Sequence, residues 1–393
     1  MKKFLLGFGI LSGIFVLVGA EILAAPASSS MPTQISVTSG GGLGTTVYAI
    51  TAGMAPLMEK AFGVKVRAIP VEVVRDRYKG MMEGSIHLNL AATGNAALAM
   101  EGAEAFGDEG WGPKPFRHIW RFYDQHWGYM VRRESDIKSI YDIKGRKVAI
   151  GMHSPACISA VDALLAFVNL KKEDVKLVPV GSWAALQRTI SEGRAEVTYA
   201  AAEGALVYEV EASPSGLRFL DMPFKDKEAW ARFLKVRSAY APVTVSKGVK
   251  SAHGAQGFSS PYSWMVYADA NEEFVYRLAK FAGENYEDYK KVHKALETVE
   301  TTKPGQRAYL DTCGYVVHPG AVRYLKEIGM WTAKDEKRNQ ELLALEKDYQ
   351  KAWKAALDEA KANNIKVSVK NKAWMDLWDS YRTKLPRFGT RIE

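Results

Sequence analysis

At 393 residues the chain exceeds the usual span of one compact core, roughly 150 residues, so two domains are the starting expectation. Hydrophobic residues make up 47% and charged residues 25%, which excludes a disordered chain, a collagen, a coiled-coil rod and a polytopic membrane protein. Lys and Arg number 53 against 44 Asp and Glu, a net charge of +9, but the basic residues are scattered rather than gathered in a patch, so no nucleic-acid partner is expected. The 2 cysteines, Cys157 and Cys313, are too few for a zinc ribbon, an iron–sulfur site or a disulfide-dense scaffold, and allow at most one disulfide.

The chain opens with Lys2 and Lys3, an almost uncharged stretch from Phe4 to Ala20, and small residues at Ala25-Pro26-Ala27. That order is the pattern of a secretory signal peptide spanning residues 1–27; an uncleaved anchor is the competing reading, set against the short apolar stretch. An exported protein has no ATP or NAD pool to draw on, which weighs against a nucleotide-dependent enzyme.

Beyond a small-residue linker, Gln34 to Thr38 alternates as a strand and runs into Ser39-Gly40-Gly41-Gly42-Leu43-Gly44. Thr46 to Ala61 then carries Val47, Ile50, Met54, Leu57, Met58 and Ala61 at helical spacing. Val64 to Ile69 reads as a strand, Arg75 to Met82 as a helix, and Ile86, Leu88 and Leu90 as a third strand ending at Ala91-Ala92-Thr93-Gly94-Asn95. Strands separated by helical crossovers predict a mostly parallel sheet.

The aromatic-rich stretch from Phe116 to Val131 is expected to be a strand pair crossing into a second lobe. There the pattern recurs: strand Lys147 to Gly151, helix Ser154 to Val168, strand Val175 to Val180, helix Trp183 to Glu192, strand Glu196 to Ala200. Pro261 to Ala268 reads as the strand returning to the first lobe, with a helix from Asn271 to Tyr289 behind it. The expected division is residues 31–130 and 259–320 for lobe I, 131–258 for lobe II, and a helical segment over 321–393. In that last segment Leu342, Leu345, Tyr349, Trp353, Ala356 and Ala360 form one stripe, read as core packing with a partner-binding helix as the alternative.

Motifs for chemistry are sparse. Gly40, Gly42 and Gly44 fall one residue short of the dinucleotide fingerprint, and no Lys follows where a phosphate loop needs it. The 7 histidines form no metal-ligand spacing, so neither a metal nor another cofactor is expected. There is no nucleophile elbow, and His153 with Cys157 is the single pair that an enzymatic reading would test.

What the glycine turns offer is backbone N–H groups at a helix start, where the dipole adds partial positive charge and an anion can settle without a charged side chain. Gly151-Met152-His153-Ser154-Pro155 is the counterpart turn in the second lobe. Ligands collect at the carboxyl ends of strands in such sheets, so two facing lobes would hold a small organic anion between them.

Gly44-Thr45-Thr46-Val47-Tyr48-Ala49 resembles the G-G-T-Y-Y-P opening of the TRAP-associated extracytoplasmic immunogenic (TAXI) solute receptors, with Thr45, Val47 and Ala49 as departures. Ile137 to Val148 is similar to the family's I-K-S-L-x-D-L-K-G-K-R-V, Ile190 to Glu196 to its A-L-x-D-G-x-I-D-A, and His318 to Glu327 to a phrase near the end of these receptors. The resemblance implies an α/β, two-lobed periplasmic-binding-protein fold with a hinge and additional C-terminal helices. It also implies a periplasmic receptor, not an enzyme, that closes on a carboxylate, dicarboxylate or acidic amino acid and delivers it to an ion-coupled TRAP permease. Carried over by position, the binding residues are Gly42, Gly44, Thr45, Thr46 and Tyr48 in the first loop, Thr93 and Asn95 after the third strand, and Gly151, His153 and Ser154 in the second lobe. Trp183, Tyr199 and Glu203 complete the set. A secreted enzyme on the same scaffold and a sensor subunit that reports to a membrane kinase remain open as alternative functions.

Overall fold

The computed structural model describes residues 31–43 and 45–389, so the expected signal peptide and Gly44 lie outside the described residues. In chain order the strands are β1 (Gln34–Ser39), β2 (Lys65–Ile69), β3 (Leu88–Ala92), β4 (Phe116–Val131), β5 (Lys147–Gly151), β6 (Lys176–Val180), β7 (Thr198–Ala201), β8 (Arg218–Leu220), β9 (Ala241–Thr244) and β10 (Gln256–Tyr267). The first three run parallel in the order β2-β1-β3, joined through the helices Thr46–Phe62 and Val74–Met82, because parallel neighbours need a crossover. β10 pairs antiparallel with β3 and with β4, and β4 pairs antiparallel with β7 and β8, so the sheet is mixed. In the second lobe β5 and β6 form a parallel pair, and the bridge Val148↔Val197 ties them to the chain entering β7.

The stretch expected to be a strand pair is one continuous strand of 16 residues, β4. All of it except Asp124 is buried, which explains why it reads as an unbroken aromatic run rather than an alternation. Gly128 does not turn the chain; a Cβ there would sit 2.6 Å from the Phe219 ring, so the glycine lets β8 approach. β4 and β10 pair from Phe116↔Tyr267 to Trp127↔Phe258, and the register shifts between Tyr262 and Ser263 and between Trp264 and Met265, irregularities that add local twist. This ribbon borders β3 at one end and β7 and β9 at the other, and it is the connection between the lobes.

Helix Thr46–Phe62 buries Val47, Ile50, Met54 and Met58, as its spacing predicts, and stops at Gly63 with φ +69°. Helix Trp183–Arg188 is shorter than expected, and the 271–289 segment divides into Glu272–Glu284 and Tyr286–Tyr289. The third strand stops at Ala92 rather than running toward Asn95, and helix Thr93–Met100 begins at once. Both cysteines are free and buried.

The C-terminal segment is built into the first lobe. Helix Ala333–Ala362 buries all six residues of the predicted stripe, so that stripe packs on the body. Glu346 on it accepts two hydrogen bonds from Arg117 of β4, at 2.6 and 2.9 Å. Helix Lys372–Arg382 follows, and its Trp374 and Trp378 meet Trp353 edge-on at 5.2 and 4.9 Å while donating to the carbonyls of Gly107 and Gly102. Burying indole rings with their N–H groups paired makes this a core contact rather than a loose appendage.

Candidate functional site

The first loop leaves β1 through Gly40, whose N–H is already bonded to the Leu90 carbonyl at 2.7 Å. Thr45, not Thr46, caps the helix: its Oγ1 accepts from the Tyr48 N–H at 3.3 Å and donates to the Gly42 carbonyl at 2.8 Å. Thr46 is thereby left without capping duty, and it lines a cavity of about 550 Å³ between the lobes. Gly42 lies against the Glu72 side chain, with a Cβ there only 2.8 Å from Cγ, so an anion at this turn would meet a carboxylate. The nearby carboxylate disfavours an anion at this turn.

In the second lobe the sequence Val236-Arg237-Ser238 ends helix Lys227–Val236 and leaves Arg237 3% exposed. Its guanidinium sits over the Tyr240 ring at 3.8 Å and the Tyr199 ring at 5.2 Å, and donates to the Ala156 carbonyl at 3.0 Å and to the Tyr240 hydroxyl. No carboxylate pairs with it among the described residues, and its Nε has no hydrogen-bond partner. From Tyr199 the aromatic wall continues through Trp127, stacked at 4.7 Å, to Trp183 and then His153. On the other side, Tyr240 touches Gly94, the chain neighbour of the buried Asn95. Tyr123 and Tyr262, stacked at 4.8 Å across β4 and β10, form its floor.

Five buried polar atoms along this crevice have no partner: Asn95 Oδ1, Tyr123 Oη, Trp127 Nε1, His153 Nδ1 and Arg237 Nε. Buried polar groups are normally satisfied, so these exceptions make the region a candidate site for a polar guest. The 550 Å³ cavity opens beside it and is also lined by Asp124, Gln125, Glu203, Tyr208 and Lys247. Glu203 accepts from the His126 N–H through both oxygens at 3.1 Å, and desolvation pushes its carboxyl up to about 7. Lys247 is held by Glu300 at 3.0 Å, and Asp124 by Arg121 at 2.8 Å.

Of the residues predicted from sequence, the crevice or cavity gathers Thr46, Asn95, His153, Trp183, Tyr199 and Glu203. Gly151 packs on the His153 ring, and Ser154 spends its carbonyl on the first turn of helix Pro155–Phe167. Tyr48 is half-buried on its helix. Thr93 is fully buried, with its hydroxyl near that of Tyr315. The crevice also contains Arg237, Tyr123, Trp127 and Tyr262, which the sequence does not single out. The aromatic density of β4 was a visible signal for two of them, whereas a single Arg between a helix and a short strand carries none.

The His153–Cys157 pair lies at 3.7 Å from Nε2 to Sγ. Burial pushes the thiol up to about 12 and the imidazole below its usual value, the reverse of what a thiolate–imidazolium nucleophile needs. Among the described residues no group of three or more His, Cys, Asp or Glu is placed to hold a metal ion, and no helix is long and apolar enough to cross a membrane.

Solved structures similar to this chain include an ancestral arginine-binding protein bound to arginine, 16% identical, covering 68% of this chain and 100% of its own, with a TM-score of 0.44. PhnD1 from Prochlorococcus marinus in complex with methylphosphonate is 12% identical and covers 68% of this chain and 91% of its own, with a TM-score of 0.46. The periplasmic VFT2 domain of BvgS from Bordetella pertussis is 12% identical, covering 66% and 92%, with a TM-score of 0.40. No curated protein matches the sequence. A family model described as NMT1-like matches residues 39–329, from the end of β1 through the helix after His318, and the chain therefore belongs to the NMT1-like family.

Proposed function

We propose that this protein is an exported, periplasmic solute receptor that closes two lobes on a small organic anion and delivers it to an ion-coupled permease of the TRAP type. In this reading residues 31–130 and 259–320 form one lobe, 131–258 the other, and 321–393 a helical buttress on the first. The guest is a carboxylate, a dicarboxylate or an acidic amino acid. The observation that carries the reading is the convergence of Asn95, Tyr123, Trp127, His153 and Arg237, whose unsatisfied atoms come from both lobes and the ribbon between them. Arg237 supplies the positive charge, since a buried guanidinium without a carboxylate gains most from an anion with two oxygens. Thr46 and Glu203 address the far end of the guest from the 550 Å³ cavity.

A binding protein rather than an enzyme fits the buried Cys157, whose thiol burial keeps protonated. The test is a thermal-shift screen of mono- and dicarboxylates and amino acids on protein stripped of bound solute. A ligand that binds the native state alone raises the melting temperature with concentration as RT ln(1 + [L]/Kd) predicts. A flat response to the whole panel refutes the anion class, and product formation from a bound acid refutes the receptor reading.

A further inference from the structure

Residues 330–389 lie outside the family match, and their last turn makes contacts that the receptor reading does not use. Helix Lys372–Arg382 leads to Pro386, whose carbonyl accepts from the Tyr349 hydroxyl at 3.0 Å, and to Phe388, fully buried on the Tyr349 ring. Glu101, also fully buried, accepts from Arg387 Nε at 2.6 Å and from the Phe388 N–H at 2.9 Å. Glu101 belongs to the first lobe and Tyr349 to the helix packed on it, so the tail is anchored there.

Arg387, Phe388 and Gly389 also hold the second lobe. Arg387 Nη1 donates to the Lys235 carbonyl at 2.7 Å, at the carboxyl end of helix Lys227–Val236, where the dipole favours a cation. Ser238 Oγ donates to the Phe388 carbonyl at 2.5 Å. Gly389 follows with φ +142°, and a Cβ there would lie 2.5 Å from the Ser238 backbone, so only glycine permits this approach.

We propose that residues 386–389 are an interlobe clasp: the tail rides with the first lobe and must release Ser238 and Lys235 before the crevice can open on the side of Gly94 and Tyr240. Its reach follows from the contacts alone and does not depend on which solute the protein binds. Each hydrogen bond that exists only in the closed arrangement shifts the closed-to-open ratio by roughly two- to twelvefold.

The experiment places spin labels on the full chain at two exposed positions, Lys60→Cys in the first lobe and Glu173→Cys in the second, the native thiols being buried. Interlobe distance distributions are compared for the background, Ser238→Ala, Gly389→Ala and the double variant, all without added ligand. The clasp predicts a longer-distance population that grows by roughly two- to twelvefold with Ser238→Ala and further in the double variant. Identical distributions in the background and the variants overturn it, whether or not the melting temperatures fall. If Gly389→Ala does not fold, Ser238→Ala alone decides, since it removes one hydroxyl and leaves the first-lobe anchor intact.

Discussion

Replacing Arg237 by Met separates a binding role from a packing role, because the two change stability in opposite directions. The guanidinium contributes charge-assisted bonds to the Ala156 carbonyl and the Tyr240 hydroxyl, each worth about 1.5 to 3 kcal/mol, and ring contacts worth about 1 kcal/mol. Against this stands the desolvation of a cation that is 3% exposed and has no anionic partner, several kcal/mol in buried sites. Met fills a similar volume without that penalty, so Arg237→Met is expected to melt at the wild-type temperature or above it. Binding behaves differently: losing one partner of a desolvated charge pair costs about 3 kcal/mol or more, at least roughly a hundredfold in Kd. Differential scanning calorimetry of the ligand-free protein, followed by calorimetric titration with whichever panel member binds the wild type, measures both. A variant that melts far below the wild type yet keeps its affinity makes Arg237 a structural residue and removes the anion assignment with it.

Thr45→Ala should lower stability by about 1 kcal/mol with unchanged affinity, since Thr45 is the cap. Thr46→Ala should do the reverse, weakening affinity about tenfold at a constant melting temperature, as loss of one charge-assisted contact implies. Glu203 gives a pH signature. Its carboxyl holds a proton up to about 7 in the folded protein but only to about 4.5 in the unfolded chain, so it lowers stability as pH rises through that window. The melting-temperature advantage of Glu203→Gln over the wild type should therefore grow from pH 4.5 to 7 and level off above; a constant difference refutes the desolvated carboxyl. Glu346→Ala strands Arg117 in the interior and should cost about 3 to 5 kcal/mol in urea unfolding, with partial recovery in the Arg117→Met/Glu346→Met double variant. A loss below about 1 kcal/mol would mean that the C-terminal helix is not part of the first lobe's core.

The sequence by itself determined the alternation of strands and helices, because that information is local: the stripe on Thr46–Phe62, the glycine turn after β1 and the buried face of Ala333–Ala362 are each set by spacing and capping within one element. It also pointed to His153, just past β5, and to Tyr199 and Glu203, on and just past β7, as candidates, although β7 pairs antiparallel with β4 and the parallel-sheet argument applies to His153 alone. Tertiary structure alone decided that β4 is one strand, since only the presence of β10 and β7 on either side makes its continuous burial satisfiable. It decided that Thr45 rather than Thr46 caps the helix, a choice between neighbours that propensity does not distinguish. Above all it decided the fate of charge. Arg237 and Glu72 are one Arg and one Glu among 53 basic and 44 acidic residues, and nothing local separates them from solvated neighbours. Folding sealed Arg237 among aromatic rings and set Glu72 against the glycine turn, and desolvation, which depends on every element packed around a group, is what turned one of them into the expected anchor for an anion.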